Sequence, residues 1–499
     1  MSRAARSPAG GVAGAVVLAG VAGAAEADAG RVLASRGLAV ERVGEPRNAT
    51  AAAHTAQQID AALAGGAAVI AVSLADAPDA ATAIELSAAC RAAAEAGRPV
   101  VLWVPVATVT GRGGVERAAA LAHLRAHGAI VVADPDAWVE TIALLARSGL
   151  PAGPRTAVVA PPGSWLEAAA RALASEVEAG GGRAPSVSAV AADAAPADVV
   201  LVDRSLGDTP RAARALVVPV IPRGELAGDD EGLVGLRGAL AAVTAAGRAA
   251  ERIAAGLGPA PVTAREELEI DEERLRRQLD KTASGDRRLG DHEAKVLLAA
   301  YGVPVTRQAV ATTPSAATRI AKKAGYPVEI KPWGPDVPSE RAGCPVERGV
   351  ATAADVRRAF LAVLGAAGLP VAESDGAAVI VREAPPPGRE VSASIVRLGA
   401  LGWTVVVEVA GVPAPLAAPA PLRAADATAL AAAVTSTRAG EPEPDRVALA
   451  NLLRRASHLA ADHDRFDRVD LGRIIVGSKG GKTVVVDAEV LLRLGSGAL

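Results

Sequence analysis

Over the first 260 residues, short β-branched runs alternate with longer alanine-rich stretches. "AAVIAVSLA" (67–75) and "RPVVLWVPVA" (98–107) have the length and composition of buried strands. Between them, "DAATAIELSAACRAAAEAG" has helical composition and stops at Gly97. The alternation continues with the strand "GAIVVAD" (128–134) and the helix "PDAWVETIALLARSG". Then come the strand "RTAVVAPPG", the helix "SWLEAAARALASEVEAGGG", and strands at "ADVVLVD" (197–203) and "ALVVPVIPR" (215–223). Short buried strands separated by helices of about a dozen residues predict right-handed βαβ units and parallel sheets. "LARSGLPAGPRTAV" reads as the joint between two such sheets, which divides the region into 1–150 and 151–257.

The pattern then changes. "GPAPVTAREELEIDEERLRRQLDKTASGDRRLG" (258–290) is charged and lacks strand signals, so it reads as a linker with one exposed helix. Residues 291–499 read as α+β. "DHEAKVLLAAYGVPV" predicts a helix ending near Gly302. In "TPSAATRIAKKAGYPVEIK", Thr313 suits the cap, Pro314 the first turn and Gly325 the stop. The strand that follows alternates Tyr326, Val328 and Ile330 with Glu329 and Lys331, which puts the lysine on its polar face. Further strands fall at "AAVIVREA" (377–384), "EVSASIVRL", "GWTVVVEVA" and "KTVVVDAEVLL". No tandem repeat occurs.

Composition narrows the classes. Of 499 residues, 51% are hydrophobic but only 2% aromatic, so cores must come from close packing of small side chains. With 53 basic and 55 acidic residues, the net charge of −2 carries no footprint for nucleic acid or an anionic membrane. Cys90 and Cys344, the two cysteines, form neither a metal spacing nor a disulfide framework, which points to a reducing, cytoplasmic setting. Residues 1–27 have the outline of a secretory signal, but their run is mostly Ala and Gly with a single Leu, which favours the start of a folded domain. No apolar run is long enough to predict a membrane span.

Four stretches carry a family resemblance: "EAKVLLAAYGVPV", "AGYPVEIKPWGPDVP", "AAVIVREAPPPGREV" and "FDRVDLGRIIVGSKGGKTVVVDAEVLL". Together they resemble the ATP-grasp module of ADP-forming acyl-CoA synthetases, relatives of succinyl-CoA ligase. "GAIVVADPDAWVETIALLARSGLPAGPRTAVVAPPG" is similar to the joint between the two flavodoxin-like ligase domains of the fused members. The resemblance therefore implies an α/β chain: two flavodoxin-like parallel-sheet ligase domains, a linker, and an α+β ATP-grasp module at 291–499. It covers most of the chain, without the Rossmann-type CoA-binding domain that opens fused members. Lys331 matches the strand lysine on the ATP phosphates, Glu383 and Glu390 match hinge and sugar-side positions, and Asp487 matches a magnesium ligand.

The chemistry of that family runs through phosphohistidine, and here both histidine positions differ. In the ligase half, "ATVTGRGG" has Val109 where a Ser-His-Thr-Gly-like motif carries its histidine. In the ATP-grasp loop, "PSERAGCP" has Ser339 at the first place of a His-Lys-Ser-Asp pattern. Ala342 stands at its aspartate, and Cys344-Pro345 replaces a Gly pair whose N–H groups would wrap phosphate. From 332 to 346 the loop holds four prolines and no histidine. Gly472-Arg473 replaces the Asn-Pro pair that supplies the second metal ligand, and the acidic stretch between the middle strands is reduced to Glu408.

Other candidates are weaker. His123 and His127 lie four apart on a predicted helix without a third ligand, and His54 copies a His-Thr pair outside the matching position. His292, His458 and His463 read as surface. "SPAGG" (7–11) and "PPGS" (161–164) have the form of anion-binding turns. The expectation is a diverged acyl-CoA synthetase relative that binds ATP, holds Mg²⁺ weakly, lacks CoA binding of its own and cannot run the relay alone. It would act as a non-catalytic partner of a subunit supplying a CoA-binding domain, or as a homo-oligomer. Two alternatives stand beside it: an active carboxylate–thiol or carboxylate–amine ligase using a direct acyl phosphate, and a structural subunit that binds no nucleotide.

Overall fold

The computed structural model describes residues 15–20, 23–42, 51–105, 111–179, 186–188, 197–203, 215–222, 232–282, 287–334, 337–369, 378–408, 415–435 and 442–493. The chain divides into two compact units that meet at Gly258–Pro259.

The first unit holds two parallel sheets. One contains β1 (Val16–Gly20), β2 (Val40–Arg42), β3 (Val69–Ser73), β4 (Val100–Trp103) and β5 (Ala129–Val132), in the order β2-β1-β3-β4-β5. The other contains β6 (Thr156–Val159), β7 (Ser186–Ser188), β8 (Val199–Asp203), β9 (Leu216–Ile221) and β10 (Leu233–Val234), in the order β10-β9-β8-β6-β7. Numbered from its own first strand, each sheet is wound 2-1-3-4-5, the flavodoxin order. The apolar run near the N-terminus that resembles a signal is β1, a central strand with Val16, Leu18 and Ala19 almost wholly buried. β1 lies in an Ala-Gly-rich run that carries little strand signal, and β2 is only three residues long.

Small residues set the packing of this unit. In α7 (Leu236–Ala255), a Cβ at Gly247 would lie 2.5 Å from the backbone of Gly153 and Pro154, so only glycine permits that approach. Trp138, on α5 (Pro135–Ser148), is the largest anchor and donates to Val101 O at 3.1 Å. Arg36 and Glu140 are buried together as a bidentate pair, at 2.8 and 3.1 Å, and Glu140 also accepts from Val234 N. The "PPGS" turn offers no open backbone donor at Gly163: its N–H is held by Glu167 Oε2 at 2.6 Å, while Ser164 Oγ accepts from Glu167 N. Residues 7–11 lie outside the described residues.

The second unit begins inside the stretch expected to be a linker. That stretch is built into the fold instead. Leu275 of α8 (Glu272–Asp280) is buried in the core, and β11 (Arg288–Leu289) pairs antiparallel with β20 (Val484–Leu492). Arg265 is held by Asp462 and Glu272, which fastens the segment before α8 as well. Arg265 and Glu267 pair with Asp462 and Arg454, almost two hundred positions away, while the charged face of α8 stays exposed as its sequence predicts.

A six-stranded sheet, β11-β20-β19-β16-β17-β18, uses β16 (Arg389–Arg397), β17 (Trp403–Glu408), β18 (Leu416–Pro419) and β19 (Phe466–Val476). It buries one face against α9 (Asp291–Ala300), α12 (Ala424–Val434) and α13 (Arg446–Ala461). A four-stranded antiparallel sheet has the order β12-β15-β13-β14, with β12 (Gln308–Ala311), β13 (Val328–Trp333), β14 (Glu347–Val350) and β15 (Ala378–Glu383). Its core face packs on α10 (Pro314–Ala324) and α11 (Ala353–Ala366). Thr313 caps α10 by accepting from Ala316 N at 3.0 Å, and Gly325, with φ near +91°, ends it as its sequence predicts. No helix among the described residues is long and apolar enough to cross a membrane.

Candidate functional site: a buried ion network in the second unit

The alternation in β13 is real, but its polar face is not solvated. Val328 and Ile330 enter the core of the four-stranded sheet, while Glu329 and Lys331 on the opposite face are only 4% exposed. There the four-stranded sheet meets β20 and the start of α9. Lys331 Nζ lies 2.6 Å from Asp487 Oδ1 on β20, 3.1 Å from Asp291 Oδ2 at the first position of α9, and 3.6 Å from Glu340 Oε1. Asp487 Oδ2 accepts from the backbone N–H of Glu340 at 3.2 Å. Both oxygens of Asp487 are therefore engaged within the chain.

The network extends in two directions. On the α9 side, buried Lys295 reaches Asp291, Thr306 Oγ1 at 3.0 Å and Gln308 Oε1 at 2.7 Å. On the β15 side, fully buried Arg382 chelates Glu329, donates to Val486 O at 2.9 Å and lies 2.5 Å from Glu340 Oε1. Arg348, on β14, reaches Glu340 Oε2 at 3.0 Å. The buried charges are the cations Lys295, Lys331 and Arg382 and the carboxylates Asp291, Glu329, Glu340 and Asp487. Ions this deep persist only when paired and hydrogen-bonded.

Burial and charge compete at each group. Burial alone would raise the Asp291 carboxyl, but Lys295, Lys331 and Arg382 hold it down at about 2. A negative charge at a helix start is favoured further by the backbone N–H groups there. Burial pulls the Lys295 ammonium down to about 8 against the pull of Asp291. For Lys331, burial is outweighed by Asp291 and Asp487, and the group is held protonated above its ordinary value. Glu340 is held below its ordinary value by Arg382, Lys331 and Arg348 despite its burial.

The space left beside Lys331 is small. The cavity lined by Arg288, Asp291, Lys331, Trp333, Ser339 and Asp487 has a volume of about 20 Å³. That is room for about one water molecule.

The remaining expected residues fall around this network without joining it into one pocket. Glu383 accepts from Arg307 N at 3.1 Å and Arg307 Nε at 2.7 Å. Glu390 is exposed and accepts from Arg473 Nε at 3.0 Å. A Cβ at Gly472 would lie 3.0 Å from Asp487 Oδ2, so glycine fits closely where the family motif has asparagine. Glu408 pairs with Arg341. Ser339 leads into the short 3₁₀ turn Glu340–Ala342. Val109 lies outside the described residues. Among the described residues, no group of three His, Cys, Asp or Glu is placed to hold a metal.

The histidines do not assemble a site. His127 Nδ1 is 2.7 Å from His123 O, and both rings are half-buried rather than exposed. His458, expected at the surface, is buried at 1% on the core side of α13, because the polar helix end that carries it packs inward. His54 is also buried, on α2 (Ala51–Ala64). His292 and His463 are half-buried, the latter 3.3 Å from Tyr301 OH.

The ATP-grasp domain family matches residues 280–492. This part of the chain is an ATP-grasp domain. The matched range holds every member of the ion network. Among curated relatives, the beta subunit of acetate–CoA ligase (ADP-forming) II from Pyrococcus furiosus is 26% identical over 222 residues, which are 42% of this chain and 94% of that subunit. The beta subunit of ligase I from the same organism is 24% identical over 229 residues, 44% of this chain and 98% of that subunit. A solved structure of dinucleotide-forming acetyl-coenzyme A synthetase 1 from Ca. Korarchaeum cryptofilum, in complex with coenzyme A, Ca-AMPCP and HgCl+, is 25% identical. It covers 45% of this chain and 100% of that one, with a TM-score of 0.39.

Sequence reasoning found two members of the network in the ATP-grasp domain, Lys331 and Asp487. It missed Asp291, Lys295, Glu329, Glu340 and Arg382. The one available signal was Glu329 and Lys331 sharing a strand face, which calls for opposite charges across that face. Their partners lie on other elements, which no local pattern reveals.

Proposed function

We propose that this chain is a non-phosphorylating relative of the ADP-forming acyl-CoA synthetases, with weakened nucleotide binding, that serves as a non-catalytic partner. The observation that carries this reading is the 2.6 Å contact between Lys331 and Asp487. The first matches the family's phosphate lysine and the second its magnesium ligand, and here each satisfies the other. Magnesium nucleotide would have to break that contact and place phosphates beside Asp291 and Glu340, which already surround the lysine. With both Asp487 oxygens engaged, Gly472 at the place of the asparagine ligand with Arg473 beside it, and a cavity of about 20 Å³, the residues as arranged do not fit magnesium ATP.

The relay positions support the same reading. Ser339 has no ring nitrogen to accept a phosphoryl group, and Val109 has no heteroatom at all. A partner role accords with the two relatives above, each of which is a beta subunit. The partner we expect supplies the CoA-binding part, a homo-oligomer being the other arrangement. The two cysteines are free and buried, in keeping with a cytoplasmic setting.

The test is incubation of the full chain with γ-labelled ATP, magnesium, CoA and a panel of carboxylic acids. We expect no acid-labile protein phosphate, no acid-dependent ADP, and ATP binding too weak for calorimetry at micromolar concentrations. Acid-dependent ADP release without protein labelling would replace this reading by a ligase working through a direct acyl phosphate.

A further inference from the structure

Glu340 stands where the His-Lys-Ser-Asp pattern has its lysine, so a cation of that motif is replaced by an anion. Its carboxylate is ringed by cations from three neighbouring strands: Lys331 of β13 at 3.6 Å, Arg382 of β15 at 2.5 Å and Arg348 of β14 at 3.0 Å. We infer that the Glu340 carboxylate is a tethered occupant of an oxyanion site formed by Lys331, Arg382 and Arg348. The free ligand of that site is a small tetrahedral phosphate-type anion. The inference rests on the proposed reading, in which the chain's own charges fill the cleft.

Three features support a site with a removable occupant rather than a permanent ion pair. First, the cations sit on paired strands, while Glu340 sits on a three-residue 3₁₀ turn between β13 and β14. The turn can shift without unmaking the sheet. Second, all three cations keep another carboxylate when Glu340 leaves: Lys331 retains Asp487 and Asp291, Arg382 retains Glu329, and Arg348 Nε stays 3.6 Å from Glu329 Oε1. They stay charged and placed. Third, Arg348 has half of its side chain in solvent, so an anion has a route in beside it. The turn also docks through the backbone N–H of Glu340 on Asp487 Oδ2, a contact that does not need the carboxylate. Truncating the side chain therefore empties the site without releasing the turn.

A tethered competitor has an effective concentration in the millimolar range or above, so it suppresses binding of a free anion of comparable strength. The experiment is calorimetric titration of inorganic phosphate into the full chain, in chloride buffers of matched ionic strength. Wild type, Glu340→Ala and the double variant Glu340→Ala with Arg348→Ala are compared. We expect Glu340→Ala to bind phosphate at least tenfold more tightly than wild type, and the loss of Arg348 to remove most of that gain. Equal affinity in wild type and Glu340→Ala overturns the inference, as does a gain indifferent to Arg348, which marks a general surface effect. If Glu340→Ala does not fold in chloride, its refolding yield in phosphate against chloride reads the same property. A higher yield in phosphate supports the site, and equal yields sink it. ATP turnover by the wild type tests the proposed function separately, because the phosphate comparison involves no turnover.

Discussion

Lys331 and Asp487, 156 residues apart in the chain, meet at 2.6 Å with their side chains 5% and 1% exposed. An isolated ion at either position would be expensive. Asp487 and Asp291 hold Lys331 protonated, while burial raises the Asp487 carboxyl against the pull of Lys331. The contact ties the four-stranded sheet to the six-stranded one. Lys331 is thus one of the side chains that hold the two sheets together.

Replacing Lys331 by Met should destabilise the second unit by about 3–5 kcal/mol, since Asp487, Asp291 and Glu340 lose their shared cation. Adding Asp487→Leu should recover part of that loss, because an apolar pair of similar volume costs less than an orphaned carboxylate. Urea denaturation of the three proteins checks this. A Lys331→Met protein as stable as wild type would show that the ion network contributes nothing.

Gly472→Asn should not restore a metal site. The new Cβ would lie 3.0 Å from Asp487 Oδ2, which is itself held by Glu340 N. We expect a loss of about 1–3 kcal/mol from overpacking, and a melting temperature that does not respond to magnesium. A variant that is stabilised by magnesium at millimolar concentration contradicts this.

The second unit should lose stability in acid. Asp291 and Glu340 both titrate below their ordinary values in the folded chain, Asp291 at about 2. Their contribution is present above the unfolded values and is lost as pH falls through about 4 towards 2. Lys295 acts with the opposite sign: its folded value of about 8 lies below that of a free lysine, so its contribution improves as pH rises from 8 to about 10. Stability measured against pH should therefore flatten at the acid end in Asp291→Asn and at the alkaline end in Lys295→Met. Unchanged slopes in both would mean that other groups control the titration.

In the first unit, Glu140→Ala should cost about 3–5 kcal/mol by leaving Arg36 buried without its carboxylate. Glu140→Gln keeps a hydrogen-bonding group against Val234 N and should cost less. Thermal unfolding of the two variants ranks them. The reverse order would remove the ion pair from this account.

By itself the sequence determined the strand–helix alternation of the first unit, the cap and stop of α10, and the strand that carries Lys331. These are local matters: runs of β-branched residues, a threonine before a proline, a glycine where the backbone must turn. It also placed Lys331 and Asp487 in motifs of one family. Only the tertiary structure decided what those residues touch. Nothing in the sequence marks Glu140 in the middle of α5 or Arg382 within "AVIVRE" as buried, and the charged stretch 258–290 reads as a linker, because a charged side chain is assumed to face water unless a partner is known. Their partners come from distant segments, and a pairing between distant segments leaves no periodicity in either one. Whether a charge is exposed or buried in a network depends on which elements the chain lays over it, and that is settled when the sheets pack.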